Sequence, residues 1–277
     1  MSRGPRRRRV REAVRAKLIE AVDEVVAQRC DEQTALLRAE VAQLRAELAA
    51  LVRAEGDRVV DEIHAVERRS RRDLVAAGER AAAASTSAFV ESRMGDAVAL
   101  PDAAATLDRA LELAPTGGLA LEFGVYSGGT LSRIADARPG GAVYGFDSFT
   151  GLPETWRPGF RTGTFDDVAG PPEVAGAQIV VGLFADTLPG FLAEHPGPVD
   201  LLHLDADLYS STATVLECVG PRLRPGSVVV FDEFFNYPGW PDHEARAWRE
   251  FVEATGCAFA WEAYTVADEQ VVVRITG

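Results

Sequence analysis

Short apolar runs that alternate with helical stretches dominate the sequence from about residue 100 onward. Seven of these runs have the length of strands, and they lie at 119–123, 142–146, 179–181, 199–204, 228–231, 258–264 and 270–275. Strands that are apolar on both faces and separated by helices form a parallel sheet covered on both sides. The last two runs are joined by a short turn at Ala267 and Asp268, which favours an antiparallel hairpin. The sequence therefore predicts an α/β fold with a seven-stranded, mostly parallel sheet and a C-terminal antiparallel hairpin.

The first 95 residues have the pattern of helices. No proline occurs between Pro5 and Pro101, and the segment is rich in Ala, Arg, Glu, Leu and Val, which favour helix. Five residues follow the alternating spacing of four and three that is typical of a coiled-coil seam: Leu37, Val41, Leu44, Leu48 and Leu51. After Gly56 the seam resumes one residue out of phase, at Val59, Ile63 and Val66. We expect a broken coiled coil that joins subunits into a homo-oligomer or docks elsewhere, and a solvated, partly frayed helical arm is the alternative.

The charge of the chain is divided unevenly. Residues 1–95 carry a net charge of +3 and residues 96–277 one of −16. We therefore expect two parts, a helical and partly coiled-coil segment at 1–95 and a globular domain at 96–277, with Ala81–Ser87 in the junction between them. The acidic domain is a poor candidate for nucleic-acid binding, because phosphate contacts dominate that affinity.

The cysteines and the apolar runs indicate the cellular compartment and whether the chain spans a membrane. Cys30, Cys218 and Cys257 are far apart, without the spacing of a zinc site or a disulfide framework, and favour reduced thiols in a cytoplasmic protein. No apolar run approaches the roughly 20 residues that a membrane helix requires, so we expect no membrane span.

Carboxylates or glycines follow each of the first five strands. They are Glu122 and Gly124, Asp147 and Ser148, Gly182, Asp205 and Asp207, and Asp232 and Glu233. Ligands of open α/β sheets bind beyond the carboxyl ends of the strands, so a functional site is expected there.

The first turn and the second strand end together suggest a nucleoside site. Glu122-Phe-Gly124 leads through Gly128 into a helix, and glycines let a backbone approach a ligand closely. Asp147 ends the next strand, where a carboxylate can accept both hydroxyls of a ribose. A turn cap is the alternative role for Asp147.

Three further carboxylates suggest a cation site. If the fourth and fifth strands are neighbours, Asp205, Asp232 and Glu233 converge, and three close anions require protons or a cation. Ligation by oxygen atoms alone suits Mg²⁺. Asp207 follows at the start of a helix, where capping is the alternative, and His203 shares the side of the strand that carries Asp205.

Four separated segments carry a resemblance to a known family. They are Glu122–Arg133, Val143–Glu154, Val199–Thr212 and Val228–Trp240, within residues 97–275. The globular part resembles class I S-adenosylmethionine-dependent methyltransferases, which have a Rossmann-like sheet, and is similar to the macrocin O-methyltransferase family of natural-product enzymes. The helical third lies outside this resemblance.

The resemblance implies a role for each strand end. Glu122, Gly124 and Gly128 would hold the methionine end of the cofactor and Asp147 its ribose, with Ser148 and Gly182 nearby. Metal-dependent relatives have acidic ligands at the positions of Asp205, Asp232 and Glu233, although Glu233 is longer than the usual Asp or Asn.

We therefore expect methyl transfer from S-adenosylmethionine to a hydroxyl of a small molecule, assisted by Mg²⁺. Asp205 is the first candidate for the proton acceptor, followed by His203 and Asp207. The loop Thr150–Gly176 and the aromatic segment Phe234–Trp240 are expected to shape the acceptor pocket. One alternative is a nucleotide-sugar glycosyltransferase that uses Asp205 and Asp207 for its metal. Another is a non-catalytic coiled-coil protein with a degenerate domain.

Overall fold

The structure is a computed structural model that describes the backbone of residues 4–277 and the side chains from Val10 onward. The chain divides into two compact units, residues 1–73 and residues 74–277. No helix among the described residues is both long enough and apolar enough to cross a bilayer.

The first unit contains one long helix, α1 (Gly4–Ser70). The helix runs without interruption through Gly56, where the predicted seam changes phase. A glycine in a helix interior costs only about 1 kcal/mol, which the many good helix-forming residues on both sides offset. The coiled-coil state of this segment stays a prediction.

The second unit contains six helices and one sheet. The helices are α2 (Leu74–Arg93), α3 (Ala103–Leu113), α4 (Gly129–Ala137), α5 (Phe184–Glu194), α6 (Tyr209–Val219) and α7 (Glu244–Thr255). The strands are β1 (Val98–Leu100), β2 (Leu119–Phe123), β3 (Ala142–Asp147), β4 (Gln178–Val181), β5 (Val199–Leu204), β6 (Val228–Phe231), β7 (Phe259–Thr265) and β8 (Val271–Ile275).

The strand order is β1-β7-β8-β6-β5-β2-β3-β4. Only β8 runs antiparallel to its neighbours, β6 and β7, which confirms the mostly parallel sheet and the terminal hairpin. The sheet has eight strands rather than seven, because Val98–Leu100 pairs with the edge of β7. Three residues carry too little periodicity to predict such a strand, which forms because β7 offers unpaired backbone groups.

Two apolar clusters cover the faces of the sheet. One contains residues of α3 and α4, and the other contains residues of α5, α6 and α7. Strands β2, β5 and β6 lie in the middle of the sheet and are buried along their whole length. The carboxyl ends of these three strands therefore lie next to one another, and the predicted strand-end residues lie together at that edge of the sheet.

Helix α2 packs on the aromatic segment Phe234–Trp240. The indole N–H of Trp240 donates to the Ser85 hydroxyl at 2.9 Å, and the Asn236 backbone N–H donates to the Thr86 hydroxyl at 2.9 Å. Residues Ala81–Ser87 lie within this helix, so the junction predicted there is wrong. The compact unit begins at Leu74, whereas the division at residue 95 stays a prediction about function and stability.

Candidate active site

The turn after β2 is pressed against the turn after β5. Gly124 has a φ of +95°, and a Cβ built on it would lie 1.8 Å from the backbone carbonyl oxygen of Asp205. The Asp205 backbone N–H in turn donates to the carbonyl oxygen of Phe123 at 2.9 Å. Only glycine allows both this φ and this close approach. Gly124 therefore fixes the distance between the turn after β2 and the turn after β5, which carries Asp205 and Asp207.

Asp147 ends β3 and holds the turn that follows β2. Its Oδ2 atom accepts hydrogen bonds from the backbone N–H groups of Val125 and Tyr126, both at 2.9 Å. Its Oδ1 atom accepts from the Phe149 N–H at 2.8 Å. The role of turn cap is thus present in the structure. A carboxylate offers about four acceptor positions, so capacity for a hydroxyl of a ligand remains.

The other predicted cofactor residues have different surroundings. Ser148 and Gly182 line the same cavity as Gly124 and Asp147. Gly128 is buried at the N-terminus of α4, and a Cβ there would lie 2.9 Å from side-chain carbons of Pro172 and Val174. Its conformation, with a φ of +81°, serves the packing of the segment before β4.

Glu122 and His203 form a buried pair beneath the cavity. Their side chains are 1% and 2% exposed, and Glu122 Oε1 lies 3.5 Å from His203 Nδ1. Burial raises the pKa of Glu122 well above its ordinary value and lowers the pKa of His203. Neither residue is among those that line the cavity.

Three carboxylates from two adjacent strand ends meet at one point. Asp205, Asp207 and Glu233 each place an oxygen atom so that all three oxygens lie within 4.8 Å of one another. Asp232 lines the same cavity, and its Oδ1 lies 4.0 Å from His203 Nε2. The pairing of β5 with β6 brings Asp205 and Glu233 together, and Asp207 occupies the third position of the group, for which the sequence suggested Asp232.

The electrostatics of this group favour a bound cation. Burial, together with the neighbouring carboxylates, raises the pKa values of Asp205 and Glu233 well above the ordinary range. Burial also raises the pKa of Asp207 to about 7, although the positive charge of Arg157 opposes the shift. Glu233 Oε2 is buried without a hydrogen-bond partner among the described residues. An unsatisfied oxygen within a cluster of oxygen donors fits the ligand set of a hard cation such as Mg²⁺.

Asp207 occupies a strained backbone conformation. Its φ is +59°, and the Leu208 N–H donates across it to the carbonyl oxygen of Ala206, which forms a γ-turn. Strain of this kind is concentrated at functional sites, where the surrounding structure maintains it. The turn keeps the Asp207 side chain at the cavity, ahead of α6.

Glu244, from α7, contacts the backbone of Glu233, a member of the carboxylate group. This contact was not predicted from the sequence. Glu244 begins α7, is fully buried, and its Oε2 accepts a hydrogen bond from the Glu233 backbone N–H at 3.2 Å. Its Oε1 accepts from the Thr212 hydroxyl at 3.4 Å. A carboxylate in the first turn of a helix has an ordinary explanation in the helix dipole, so the sequence carried no distinct signal.

The loop between β3 and β4 forms one wall of the cavity, as predicted. Trp156, Arg157, Phe160 and Phe165 from this loop line it. The guanidinium of Arg157 lies 3.9 Å from the ring centroid of Trp156 and donates to both carboxylate oxygens of Glu269, at 3.0 and 3.1 Å. Arg157 is a cation beside an otherwise acidic group, and its importance was not predicted.

The aromatic segment Phe234–Trp240 does not line the cavity, so its predicted role in the acceptor pocket is wrong. Phe234, Phe235, Tyr237 and Trp240 are buried in the core. Helix α2 supplies the apolar cover, since Phe89 packs with ring centroids 6.0 Å from Phe234 and 5.4 Å from Trp240.

The cavity itself has a volume of about 460 Å³ and lies at the carboxyl ends of β2, β3, β5 and β6. This size and position are typical of a small-molecule site in an open α/β sheet. Glycines and Asp147 line one part, the carboxylate group lies in the middle, and the aromatic loop covers another part.

Comparison with known proteins agrees with this geometry. Residues 121–234 match a family described as a methyltransferase domain. A curated relative from Streptomyces olivaceus, 8-demethyl-8-(2,3-dimethoxy-alpha-L-rhamnosyl)-tetracenomycin-C 4'-O-methyltransferase, is 45% identical over 57 residues. That alignment covers 21% of this chain and 21% of the relative, so the chain spans about a fifth of the length of the curated relative it matches.

Two solved structures are among those similar to the chain. The calicheamicin methyltransferase CalS11 is 27% identical with a TM-score of 0.49, and the match covers 62% of this chain and 76% of CalS11. The O-methyltransferase NovP is 22% identical with a TM-score of 0.45, covering 62% and 79% of the two chains. Residues 121–234 thus match a methyltransferase domain, and this segment contains the strand ends that form the cavity.

Proposed function

We propose that the protein transfers a methyl group from S-adenosylmethionine to a hydroxyl group of a small molecule, assisted by Mg²⁺. The observation that carries the proposal is the group of Asp205, Asp207 and Glu233 inside the cavity of a methyltransferase domain. The acceptor class that we infer is a sugar of a natural product, because the curated relative is named for the 4'-O-methylation of a rhamnosyl group.

The cofactor side of the site would consist of Gly124, Asp147, Ser148 and Gly182. These residues line the cavity at the ends of β2, β3 and β4, and Asp147 retains capacity to accept a ribose hydroxyl. When bound, S-adenosylmethionine supplies the methyl group on a positively charged sulfur. Glu122 lies beneath this region and would support it through the turn that begins at Gly124, not through direct contact.

The cation side would consist of Asp205, Asp232 and Glu233. Asp205 and Glu233 fit a hard cation because their oxygen atoms, with one of Asp207, lie within 4.8 Å of one another and because Glu233 Oε2 is otherwise unsatisfied, while Asp232 lines the same cavity. A bound Mg²⁺ lowers the pKa of a hydroxyl that it contacts. Glu244 would position Glu233 through the hydrogen bond to its backbone N–H.

Asp207 is the proton acceptor that the geometry favours over Asp205 and His203. It lies beside the cation ligands and lines the cavity, and its pKa of about 7 suits a general base near neutral pH. Asp205 would be occupied by the cation, and His203 is buried away from the cavity. Asp207 would take the acceptor proton while the aromatic loop excludes water.

The alternatives from the sequence are not favoured. A glycosyltransferase that binds metal through Asp205 and Asp207 leaves Gly124 and Asp147 without a role, although both line the cavity. A degenerate domain would have no reason to maintain several buried carboxylates with raised pKa values.

The free thiols Cys30, Cys218 and Cys257 fit the predicted cytoplasmic location.

A methyl-transfer assay with labelled S-adenosylmethionine tests the proposal. The acceptor panel contains a rhamnosylated polyketide, a nucleotide-linked deoxysugar and a simple phenol, each with Mg²⁺ and with excess chelator. We expect transfer to a sugar acceptor and its loss in chelator. Calorimetry that detects a nucleotide sugar but no S-adenosylmethionine would instead support the glycosyltransferase, and binding of neither would support the non-catalytic alternative.

A further inference from the structure

Helix α1 presents a long apolar face to solvent. Its large aliphatic side chains from Val10 to Val66 are all exposed, with exposed fractions between 46% and 71%. Monomeric proteins rarely expose contiguous apolar surface of more than a few hundred Å². A helix with an exposed apolar stripe of this length requires a partner to bury it.

Nine apolar residues of α1 follow an 11-residue repeat. One row consists of Ile19, Cys30, Val41, Val52 and Ile63, and a second consists of Val26, Leu37, Leu48 and Val59. Each member of the second row precedes a member of the first by four residues, so the two rows are adjacent on one face. Eleven residues make three turns of about 3.67 residues, so the stripe runs almost parallel to the helix axis.

This repeat accounts for the shift in phase near Gly56. A strict heptad would continue from Leu48 to Glu55, whereas the 11-residue spacing continues to Val59 on the same face. The helix therefore needs no break to keep one apolar stripe, and α1 has none.

We propose that α1 pairs with α1 of a second copy of this chain, parallel and in register, along the stripe from Ile19 to Ile63. This stripe is about 68 Å long and about 10 Å wide, or on the order of 700 Å² per helix. A stable interface buries about 800 Å² per partner, so the stripe is of the required size. The inference concerns a surface outside the methyltransferase domain and does not depend on the proposed function.

The number of strands follows from the residue types. Four of the five residues in the first row are β-branched, and leucine or valine occupies the second row. In heptad coiled coils, β-branched residues in one core row with leucine in the other favour two strands.

One pair of opposite charges beside the stripe suits the parallel orientation. In parallel pairs, flanking residues five positions apart face each other across the interface. Glu40 and Arg45 have this spacing, and neither has a side-chain partner within the described part of its own chain. Glu62 and Glu67 occupy equivalent positions two repeats later, and Arg69 and Arg71 neutralise them within the same chain.

Paired glutamate variants of the full chain test the stripe. Leu37→Glu with Leu48→Glu places two charges on it, 11 residues apart. Ala35→Glu with Ala46→Glu places the same two charges, at the same spacing, on the opposite face. By light scattering, we expect two chains per particle for the wild type and the alanine-site variant, and one chain for the leucine-site variant.

Cys30 reports the orientation, because in-register parallel pairing places it against Cys30 of the second copy. Mild oxidation should link the wild type into a covalent dimer and leave Cys30→Ser unlinked. A dimer that Cys30 fails to link would overturn the parallel, in-register arrangement. A wild type that stays a single chain at all concentrations, or a dimer that tolerates glutamates at Leu37 and Leu48, would overturn the pairing itself.

Discussion

The backbone carbonyl oxygen of Asp205 occupies the space beside Gly124 so closely that a Cβ there would lie 1.8 Å away. This contact couples the cofactor side of the cavity to the cation side, since Gly124 follows β2 and Asp205 follows β5. The spacing between the two turns therefore depends on the absence of a side chain at Gly124.

Gly124→Ala should destabilise the domain and disrupt cofactor binding. The substitution forces the two turns apart and places alanine at a φ of +95°, which together cost at least about 2–4 kcal/mol. Gly129→Ala is the matched control, because a Cβ added at this first residue of α4 would have nothing within 4 Å. Chemical denaturation measures both variants, and equal stabilities would contradict the close contact.

Asp147→Ala should weaken S-adenosylmethionine binding and lower the stability of the turn after β2. It removes three hydrogen bonds to backbone N–H groups as well as the acceptor for a ribose hydroxyl. A lost hydrogen bond to a charged group costs about 1.5–3 kcal/mol, or roughly a 10- to 150-fold loss of affinity. Calorimetry gives the affinity, with Asp166→Ala, in the loop but outside the cavity lining, as the control. Wild-type affinity in a folded Asp147→Ala protein would exclude Asp147 from the cofactor site.

Asp207→Asn should abolish most methyl transfer while the fold and cofactor binding persist. Asparagine is among the non-glycine residues that most readily adopt a positive φ, so we expect the backbone turn at this position to persist. Loss of a general base lowers the turnover rate by about 10²–10⁴-fold. Asp166→Asn, in the loop but outside the cavity lining, is the control. Turnover close to wild type in Asp207→Asn would return Asp205 to the role of proton acceptor.

The metal-free protein should lose stability as the pH rises from about 5.5 to about 8. Burial raises the pKa of Asp207 to about 7 and the pKa values of Asp205 and Glu233 well above normal. The folded state then holds more protons than the unfolded state over this range, so the free energy of unfolding decreases with pH. We expect a loss of at least about 1 kcal/mol, or about 2–4 °C in Tm.

The effect of Mg²⁺ on Tm at two pH values is a second test of the cation site. Mg²⁺ should raise Tm at about pH 8 much more than at about pH 5.5, because protons compete with the cation for the same oxygens. Asp207→Asn should flatten the dependence in chelator. Two results would argue against a cation site. One is a Tm that rises with pH in chelator, and the other is a Tm that Mg²⁺ does not change at either pH.

Deletion of residues 1–73 should leave a folded domain, whereas deletion of residues 1–95 should destabilise it. The longer deletion removes Phe89 and the hydrogen bonds of Ser85 and Thr86 to the aromatic segment. Loss of a buried phenylalanine alone costs about 3–5 kcal/mol. Thermal unfolding compares the two proteins. Equal stabilities would place the functional boundary at residue 95, as the sequence predicted.

The order of the strands and helices could be read from residues 119–275 because that information is local. Apolar runs such as 119–123 and 199–204 show buried strands, and glycine or carboxylate residues mark their ends. The helical nature of residues 10–70 could be read in the same way, from composition and spacing. The three-residue β1 could not, since it exists only through pairing with β7.

The candidate site was predicted in part. The strand-end residues Gly124, Asp147, Asp205 and Glu233 line one cavity, since parallel strands bring their carboxyl ends to one edge. Glu122 and His203 are buried against each other and are not among the residues that line the cavity, so their predicted roles toward ligands stay predictions. The contributions of Arg157 and Glu244 came from a loop and a helix distant in sequence.

The sequence by itself determined the element types, the strand ends and the acidic character of the site, because these depend on residue type and local periodicity. Tertiary structure alone decided which atoms meet. The pairing of β5 with β6 brings an oxygen of Asp207 within 4.8 Å of one of Glu233. The packing of α2 buries the segment Phe234–Trp240 in the core, although the sequence suggested that this segment would line the pocket. Contacts of this kind depend on strand register and on surfaces far apart in the chain, which no local pattern specifies.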